Sequence, residues 1–376
     1  MTPSFSVGIE EEYQTVDPVT FDLRSHIQTE LMAQGKRVMK EKVKSEMHQS
    51  VVEVGTGVCR NMTEAREDLV TLRRQMVTLA RDNGLVLVAG ATHPFADWRV
   101  QDISLDERYL QVVEDLQLVA RSNLIFGLHV HVGVEDRETV IHLMNQIRYF
   151  LPHLLALSAN SPFWLGMNTG LKSYRCKVFD KFPRTNIPDT FNGWADYENF
   201  VNLLIRTNCI DNAKKIWWDV RPHPFYPTIE VRICDLPMRV EETLAIAALI
   251  QATVYTLWKL HEKNQAWRPY SRALIMENKW RASRYGIQGS LIDFGRETEV
   301  PERQLIEEYL GLVDEAVDEL GSRREIEGVR WILQHGTGAD RQLAAFERSG
   351  GDLRQVVQFM AEETRAGLEE PEEIRV

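Results

Sequence analysis

Hydrophobic and polar residues alternate in several short segments of the chain, and this period of two predicts β-strands with two different faces. The clearest case is residues 4–13, where alternation separates Glu11 from Glu10 and Glu12. Shorter patterns of the same kind predict further strands at residues 49–54, 85–89, 128–132 and 228–234. The sequence therefore predicts a sheet with carboxylates grouped on one face of its first strand.

Apolar residues at helical spacing predict four helices, at residues 63–83, 137–159, 196–206 and 240–262. Thr63 is the predicted N-cap of the first helix, which ends at Asn83, and Pro152 predicts a kink in the second. Beyond about residue 302 the pattern is helical and acidic. Residues 160–191 are rich in Pro, Gly, Asn and Ser and predict a long functional loop. Because strands and helices do not alternate regularly, the predicted class is α+β rather than doubly wound α/β.

The composition is typical of a globular protein, with 376 residues of which 44% are hydrophobic and 26% charged. Repeats and interdomain linkers are absent from the sequence, so we predict a single catalytic domain, residues 1–376, with a helical C-terminal portion from about residue 302. The net charge of -11 argues against general nucleic-acid binding. Four scattered cysteines do not form a CxxC zinc site, and the apolar stretch Leu244–Trp258 is shorter than a membrane span. Without a signal-peptide pattern, we expect a cytoplasmic protein with no membrane partner.

Two predicted strands place pairs of polar residues on one face. Glu10 and Glu12 would lie about 6.6 Å apart, where two carboxylates repel each other unless a cation lies between them. A solvated strand edge is the alternative. His129 and His131 also share a face, and such a pair can bind a divalent metal or phosphate oxygens. A hydrogen-bonded structural pair is the alternative there.

Two further strands add charge. Glu230 and Arg232 share a face, and such a pair taken alone is usually a cross-strand salt bridge. Glu53 lies in an otherwise apolar strand, where an unpaired carboxylate would be costly. Taken together, these strands predict a carboxylate-rich metal site that faces an anionic ligand. The surplus of carboxylates favours magnesium over zinc, with two or more ions neutralising a triphosphate. The sequence has no Walker A loop or kinase signature, so a nucleotide would be bound through metals on a sheet.

Several segments combine into a more specific signature: Gly8-Ile9-Glu10-Glu11-Glu12, Gly90-Ala91-Thr92-His93-Pro94-Phe95, Gly127-Leu128-His129-Val130-His131-Val132-Gly133, Ala159-Asn160-Ser161-Pro162-Phe163-Trp164, Ile216-Trp217-Trp218-Asp219-Val220-Arg221-Pro222, Thr228-Ile229-Glu230-Val231-Arg232 and Arg281-Ala282-Ser283-Arg284-Tyr285-Gly286. With these motifs the sequence resembles the type 2 glutamate–cysteine ligase family, also called YbdK-type carboxylate–amine ligases. The resemblance extends from Gly8 to about Asp293.

This resemblance implies a glutamine-synthetase-like catalytic domain, in which a curved antiparallel sheet forms a funnel and helices cover its outer face. It implies ATP and magnesium as cofactors, with manganese as an alternative ion. The candidate metal ligands are Glu10, Glu12, Glu53, His129 and Glu230. A homodimer is the implied assembly.

The resemblance also suggests roles for residues outside the metal site. Arg232 would contact phosphate, while Arg175 and Arg221 would hold the carboxylate substrate or the transferred phosphoryl group. His131 and Ser173 are assigned to the nucleotide. Ser173 is also a candidate for binding the substrate carboxylate. Arg284 is also assigned to the nucleotide, although it shares a helix face with Arg281 that could equally be solvated. The sequence departs from the family pattern at Gln49 and Asn168, where relatives commonly carry acidic residues.

The implied reaction has two steps. A substrate carboxylate attacks the γ-phosphorus of ATP to form an acyl phosphate, and an amine then displaces phosphate to form an amide. Glutamate and cysteine are the family's default substrates, with weak activity expected. Two other functions fit the same residues: a metal-dependent amide hydrolase, and a non-catalytic protein that binds a nucleotide or an amino acid.

Overall fold

The computed structural model describes residues 2–26 and 30–368; residue 1, residues 27–29 and residues 369–376 of the predicted domain lie outside the described residues. The described strands are β1 (Val7–Val16), β2 (Val43–Ser45), β3 (Val51–Gly55), β4 (Val86–Val88), β5 (Leu128–Gly133), β6 (Phe163–Trp164), β7 (Met167–Asn168), β8 (Val220–Pro222), β9 (Thr228–Val231), β10 (Ser290–Asp293) and β11 (Thr298–Pro301).

The α-helices of the described residues are α1 (Leu31–Met39), α2 (Met62–Asp82), α3 (Glu107–Leu116), α4 (Leu118–Arg121), α5 (Arg137–Ile147), α6 (Leu151–Ser158), α7 (Arg175–Phe179), α8 (Trp194–Arg206), α9 (Val240–Glu262), α10 (Arg272–Tyr285), α11 (Glu302–Leu320), α12 (Arg323–His335), α13 (Gly338–Arg348) and α14 (Leu353–Arg365). Short 3₁₀ turns lie at Lys40–Lys42, Trp98–Val100, Ala213–Lys215 and Gly286–Gln288.

The main sheet is antiparallel and open, and its strand order is β2-β3-β1-β5-β9-β8. In the centre, β1 pairs with β3 through residues 10–14 and with β5 through residues 7–11. The short strand β4 pairs with residues 14–16 of β1, where the pairing with β5 has ended. Since directly opposed residues in an antiparallel pair share a face, this register decides which side chains meet.

One face of the sheet is apolar and packs against α2 and α9. Across this face Ile9 lies opposite Val130, which in turn lies opposite Val231, and all three are buried. Helix α9 is long and apolar enough to cross a membrane, but 78% of its apolar segment is buried inside the protein. It contacts α2, α5, α11 and α12 as well as the sheet, so it is the core helix that the sequence predicts.

Glu11 lies on this apolar face, as the alternation in β1 predicts, and its side chain is fully buried. Arg73 of α2 donates to both of its carboxylate oxygens, and the Thr243 hydroxyl of α9 donates to it at 2.7 Å. The same guanidinium donates to the Met238 carbonyl at 2.7 Å. The buried charge is therefore paired, and it ties β1 to the helices behind it.

The C-terminal helices share this core. Val313 of α11 and Val329 of α12 belong to the same hydrophobic cluster as Ile9, while Val356 of α14 packs in a second cluster with Val16 and others. The described chain is helical from Glu302 onward, through α11–α14, while the single catalytic domain stays a prediction.

The structure differs from the predicted elements at several ends. Residues 137–159 form two helices, α5 and α6, because the chain breaks at residues 148–150 and Pro152 lies in the first turn of α6, where its missing N–H is tolerated. Asn61, not Thr63, caps α2 by accepting a hydrogen bond from the Glu64 amide at 3.0 Å. The predicted loop 160–191 contains β6, β7 and α7.

Strand β3 begins two residues later than predicted. The amide of Val51 donates to the His48 carbonyl at 3.0 Å, which places Gln49 in a turn. The Gln49 side chain donates to the Ile103 carbonyl at 3.0 Å and accepts from the Ser25 hydroxyl at 2.9 Å. Gln49 therefore lies outside the strand that carries Glu53.

Candidate active site

Carboxylates crowd together on one half of the polar face of the sheet. In the register of β1, β2 and β3, Glu53 lies opposite both Glu12 and Lys44. The Lys44 ammonium contacts Glu53 at 2.8 Å and Glu10 at 3.7 Å. Glu46 follows β2 and faces the same group. One lysine is therefore shared among several buried or part-buried carboxylates.

The pKa values of these carboxylates reflect that crowding. Burial and the charge of Glu53 raise the pKa of Glu12 to about 7. Burial together with the charges of Glu53 and Glu12 raises the pKa of Glu46 well above its usual range. Burial and the charge of Glu10 also raise the pKa of Glu53, although Lys44 opposes the shift. Burial is the largest cause of each shift and Arg175 opposes it at Glu12, so the protein stabilises the ionised forms of these carboxylates incompletely.

Next to this cluster, β5 places His129 and His131 beside Glu10. The distance from the Glu10 carboxylate is 3.4 Å to Nδ1 of His129 and 3.7 Å to Nε2 of His131. Burial would raise the pKa of Glu10, but the hydrogen bonds and charges of the two histidines lower it well below the usual value. Burial and the charge of Arg232 lower the pKa of His129 to about 4, so this imidazole is neutral at pH 7. Burial opposes protonation of His131, yet Glu10 and Glu230 raise its pKa.

The other half of the polar face holds a carboxylate between two arginines. Glu230 lies opposite both His131 and Arg221. Arg221 donates to it at 2.7 and 3.2 Å, and Arg232 donates to its Oε1. Burial would raise the pKa of Glu230, but the two guanidinium charges outweigh it and hold the pKa well below the usual range. Arg221 also donates to the carbonyls of Lys214, at 3.0 Å, and Ile216, so it anchors that segment to the sheet.

A cleft of about 150 Å³ opens over this face, between the acidic cluster and the arginines. Its apolar wall includes Tyr109, Phe179, Phe182 and Trp217. Its polar lining comes from Glu12, Glu46, His48, Asn123, His129, Arg175 and Arg232. Among the described residues, Nε of Arg175, Nε of Arg232 and Oδ1 of Asn123 are buried without a hydrogen-bond partner. Two unsatisfied guanidinium donors beside a cleft favour an anionic ligand.

Asp235, which lies beneath this cleft, binds two other predicted site residues. The Ser173 hydroxyl donates to Asp235 at 2.8 Å, and Arg175 approaches the same carboxylate at 4.0 Å. Arg175 donates to the carbonyls of Ile233 and Arg232 at 3.2 and 3.3 Å. Ser173 is fully buried and does not line the cleft, whereas Arg175 does.

Arg284, on α10, is not part of this group. It donates to the Gly170 carbonyl and lies over the ring of Tyr285, with 4.9 Å between the guanidinium carbon and the ring centroid. The structure therefore groups Glu10, Glu12, Glu53, His129, His131, Arg175, Arg221, Glu230 and Arg232 around the polar face of the sheet. Of the predicted site residues, Glu12, His129, Arg175 and Arg232 line the cleft, and Ser173 and Arg284 do not.

Comparison with known proteins assigns a family to this arrangement. The profile of the glutamate-cysteine ligase family 2 matches residues 6–359. This chain belongs to glutamate-cysteine ligase family 2. Two relatives, each named "Putative glutamate--cysteine ligase 2", come from Solibacter usitatus and Sorangium cellulosum. The first is 66% identical over 98% of this chain and 96% of its own length, and the second is 54% identical over 97% of each.

Solved structures share the fold of this family 2 ligase. A bifunctional glutathione synthetase from Pasteurella multocida superimposes with a TM-score of 0.73 at 16% identity, covering 96% of this chain and 52% of that one. A glutamate–cysteine ligase from Francisella tularensis in complex with AMP gives a TM-score of 0.70 at 11% identity, covering 97% and 90%. This chain therefore spans about half the length of the bifunctional enzyme. The predicted α+β fold, an antiparallel sheet with helices over one face as the resemblance to glutamine-synthetase-like domains implies, is confirmed, and the sheet is open.

The side chains at this site have the ligand atoms that a hard divalent cation prefers. Glu12, Glu46 and Glu53 offer oxygen ligands, burial raises the pKa of each, and neutral His129 lies next to them. Across residues 2–26 and 30–368, however, no three His, Cys, Asp or Glu side chains form a group arranged to hold a metal ion. Glu230 is already bound by two arginines. The predicted ligands thus share a face without forming a coordination shell.

Glu12 should make the stability of the metal-free protein depend on pH. Because its pKa rises from an ordinary 4.5 to about 7, the folded state binds this proton more tightly than the unfolded state does. Its stabilising contribution is complete below about pH 4.5 and is lost as the pH rises through about 7. In EDTA, the melting temperature of Glu12→Gln relative to wild type should therefore increase between about pH 5 and pH 8. A difference that is constant across this range would contradict the assignment.

Sequence reasoning missed two members of the site. Lys44 lies in β2, and Glu46 is the residue that follows this strand. With three residues, β2 is too short for alternation to identify. The available signal was their spacing of two residues, combined with a partner strand that carries Glu53. Lys44 became recognisable only through the β2–β3 register, which places it opposite Glu53.

Proposed function

We propose that this protein is an ATP-dependent carboxylate–amine ligase that forms an amide bond through an acyl-phosphate intermediate, with glutamate and cysteine as its default, weakly used substrates. The observation that carries the proposal is the division of one cleft into an acidic half, with Glu12 and Glu46, and a basic half, with Arg175 and Arg232. Carboxylates that hold cations next to arginines that hold phosphate are what phosphoryl transfer from ATP requires.

The acidic half would bind magnesium, or manganese in its place, through Glu10, Glu12, Glu53 and His129, with Glu46 added by its position. Bound there, the ions neutralise the triphosphate charge. The chain itself keeps His129 neutral and holds Lys44 between Glu53 and Glu10, so its ammonium balances part of the acidic charge. Glu230 was assigned as a further ligand; its two arginine contacts support a role in fixing Arg232 instead.

The basic half would bind the transferred phosphoryl group and the substrate carboxylate. Arg232 and Arg175 each keep a buried Nε donor without a partner among the described residues, so both have hydrogen-bonding capacity for an anion. Arg221 already donates to Glu230, and Ser173 already donates to Asp235. These contacts support positioning roles for both residues. His131, held by Glu10 and by the Thr228 hydroxyl at 3.2 Å, remains the proposed nucleotide contact on this face. No contact of Arg284 supports its predicted nucleotide role.

The test is a screen for ADP release. Purified protein with ATP and magnesium is supplied with amino acids in pairs, and each pair that releases ADP is examined by mass spectrometry for the condensed product. The expected result is ADP and an amide product in equal amounts, only when both partners are present. Cleavage of amides without nucleotide would favour the metal-dependent hydrolase, and ATP binding without turnover would favour the non-catalytic binding protein.

The cellular setting follows from the same proposal. Both substrates are small molecules, so neither a nucleic acid nor a membrane is needed as a partner, and the ATP supply of the cytoplasm suits the reaction. Burial of α9 within the protein supports this assignment. A homodimer remains a prediction that sedimentation of the purified chain would test.

A further inference from the structure

A second cavity, of about 650 Å³, lies beside the active-site cleft and shares Val112 and Trp217 with it. Small-molecule sites have volumes of about 300–1,000 Å³, so the cleft of about 150 Å³ is too small to hold both substrates and the nucleotide. The second cavity falls within that range. Val112 and Trp217 line both spaces, so the larger cavity directly adjoins the cleft.

Arg184 gives this second cavity a free cationic group. Its Nε donates to the Lys215 carbonyl at 2.9 Å, and its guanidinium carbon lies 5.4 Å from the ring centroid of Trp217. Within the described part of the chain, Arg184 makes no ion pair. The neighbouring carboxylates of Asp115 and Asp211 contact Lys215 instead, at 3.4 and 3.6 Å. The remaining guanidinium donors are therefore available to a ligand.

The backbone around Arg184 is fixed in an unusual geometry. Its φ of 58° lies in the left-handed region, which residues with side chains rarely adopt and which recurs at binding sites. The Trp217 amide donates to the Arg184 carbonyl at 2.9 Å. Arg221 binds the carbonyls of Lys214 and Ile216 from below. A chain of contacts thus connects the sheet face, through Arg221 and Trp217, to Arg184.

We infer that this cavity binds the amine substrate as an α-amino acid, whose carboxylate pairs with Arg184 while its amino group points past Trp217 into the cleft. The inference rests on the proposed ligase function. The charges in the lining favour this ligand class: Arg184 and Lys215 are balanced by Asp115 and Asp211, which suits a zwitterion and leaves no net positive charge to hold a triphosphate. The planar guanidinium matches a carboxylate through two parallel hydrogen bonds.

The test compares L-amino acids with their α-amides, which lack the carboxylate charge, on wild type, Arg184→Gln and the control Arg206→Gln. Arg206 is an exposed arginine on α8 that does not line the cavity. Binding is measured by calorimetry, independently of turnover. At least one amino acid should bind wild type and the control about 10- to 100-fold more tightly than its amide, whereas Arg184→Gln should lose this preference.

Two results would overturn the inference: no amino acid is preferred over its amide by wild type, or Arg184→Gln keeps the preference. A loss of ATP binding in Arg184→Gln, with amino-acid binding intact, would also overturn it by making Arg184 a nucleotide contact. Melting temperatures that match wild type show that the variants are folded. If amino acids bind through Arg184 but no pair releases ADP, the proposed function fails and the amino-acid site stands.

Discussion

Replacing Glu53 by glutamine is expected to abolish ADP release while making the metal-free protein more stable. Glu53 is 7% exposed, lies opposite Glu12 and accepts a hydrogen bond from Lys44 at 2.8 Å. Its raised pKa means that the folded protein binds this proton more tightly than the unfolded chain does, so a neutral amide should be better tolerated here than the carboxylate. The same substitution removes one of the charges that would hold magnesium, so the affinity for the phosphates of ATP should fall.

The measurement has two parts. ADP release is followed with the best substrate pair, and thermal unfolding is followed in EDTA and in magnesium. Magnesium should raise the melting temperature of wild type and have a smaller effect on Glu53→Gln. Glu41→Gln is the matched control, because Glu41 is an exposed carboxylate just before β2 and does not line the cleft. Undiminished turnover in Glu53→Gln would refute the assignment of Glu53 as a metal ligand.

Alternation along the first strand was enough to predict which of its carboxylates face the site. Glu10 and Glu12 do share the polar face, and Glu11 does point into the core. Alternation is local, however, and does not reveal which strands are neighbours. The positions of Glu53 opposite Glu12, and of Glu230 opposite His131, depend on strand order and register over long sequence separations. The sequence grouped these residues into one site without predicting which of them lie opposite each other.

Partners of buried polar groups were the least predictable feature. Ser173, Arg221 and Glu230 were all assigned to ligands, yet each has protein partners that satisfy it. A sequence lists donors and acceptors without showing which of them meet in the fold. Arg184 was missed for the opposite reason: it was assigned no ligand, although its guanidinium has donors available to one. Its loop has no periodic pattern, so only the structure shows that Arg184 lines the cavity.

Breaking the buried pair of Glu11 and Arg73 should have the largest effect on stability. Both side chains are fully buried, and removing one partner leaves a charge with no compensation, which costs about 3–5 kcal/mol. The free energy of unfolding of ordinary domains is about 5–15 kcal/mol, so Arg73→Met or Glu11→Gln would remove a large part of it. Chemical denaturation would measure the loss. Arg60→Gln, in an exposed pair with Glu64 near the start of the same helix, should change stability little.

A double variant separates the pair from the packing around it. Arg73→Met combined with Glu11→Gln removes both charges, so it should be more stable than the sum of the two single losses predicts. Additive losses would mean that each residue acts through other contacts, such as Thr243 or Met238. The pair also bears on the site, because Glu11 lies between Glu10 and Glu12 on β1. Variants that still fold but let β1 shift should therefore lose magnesium binding before they lose their helical content.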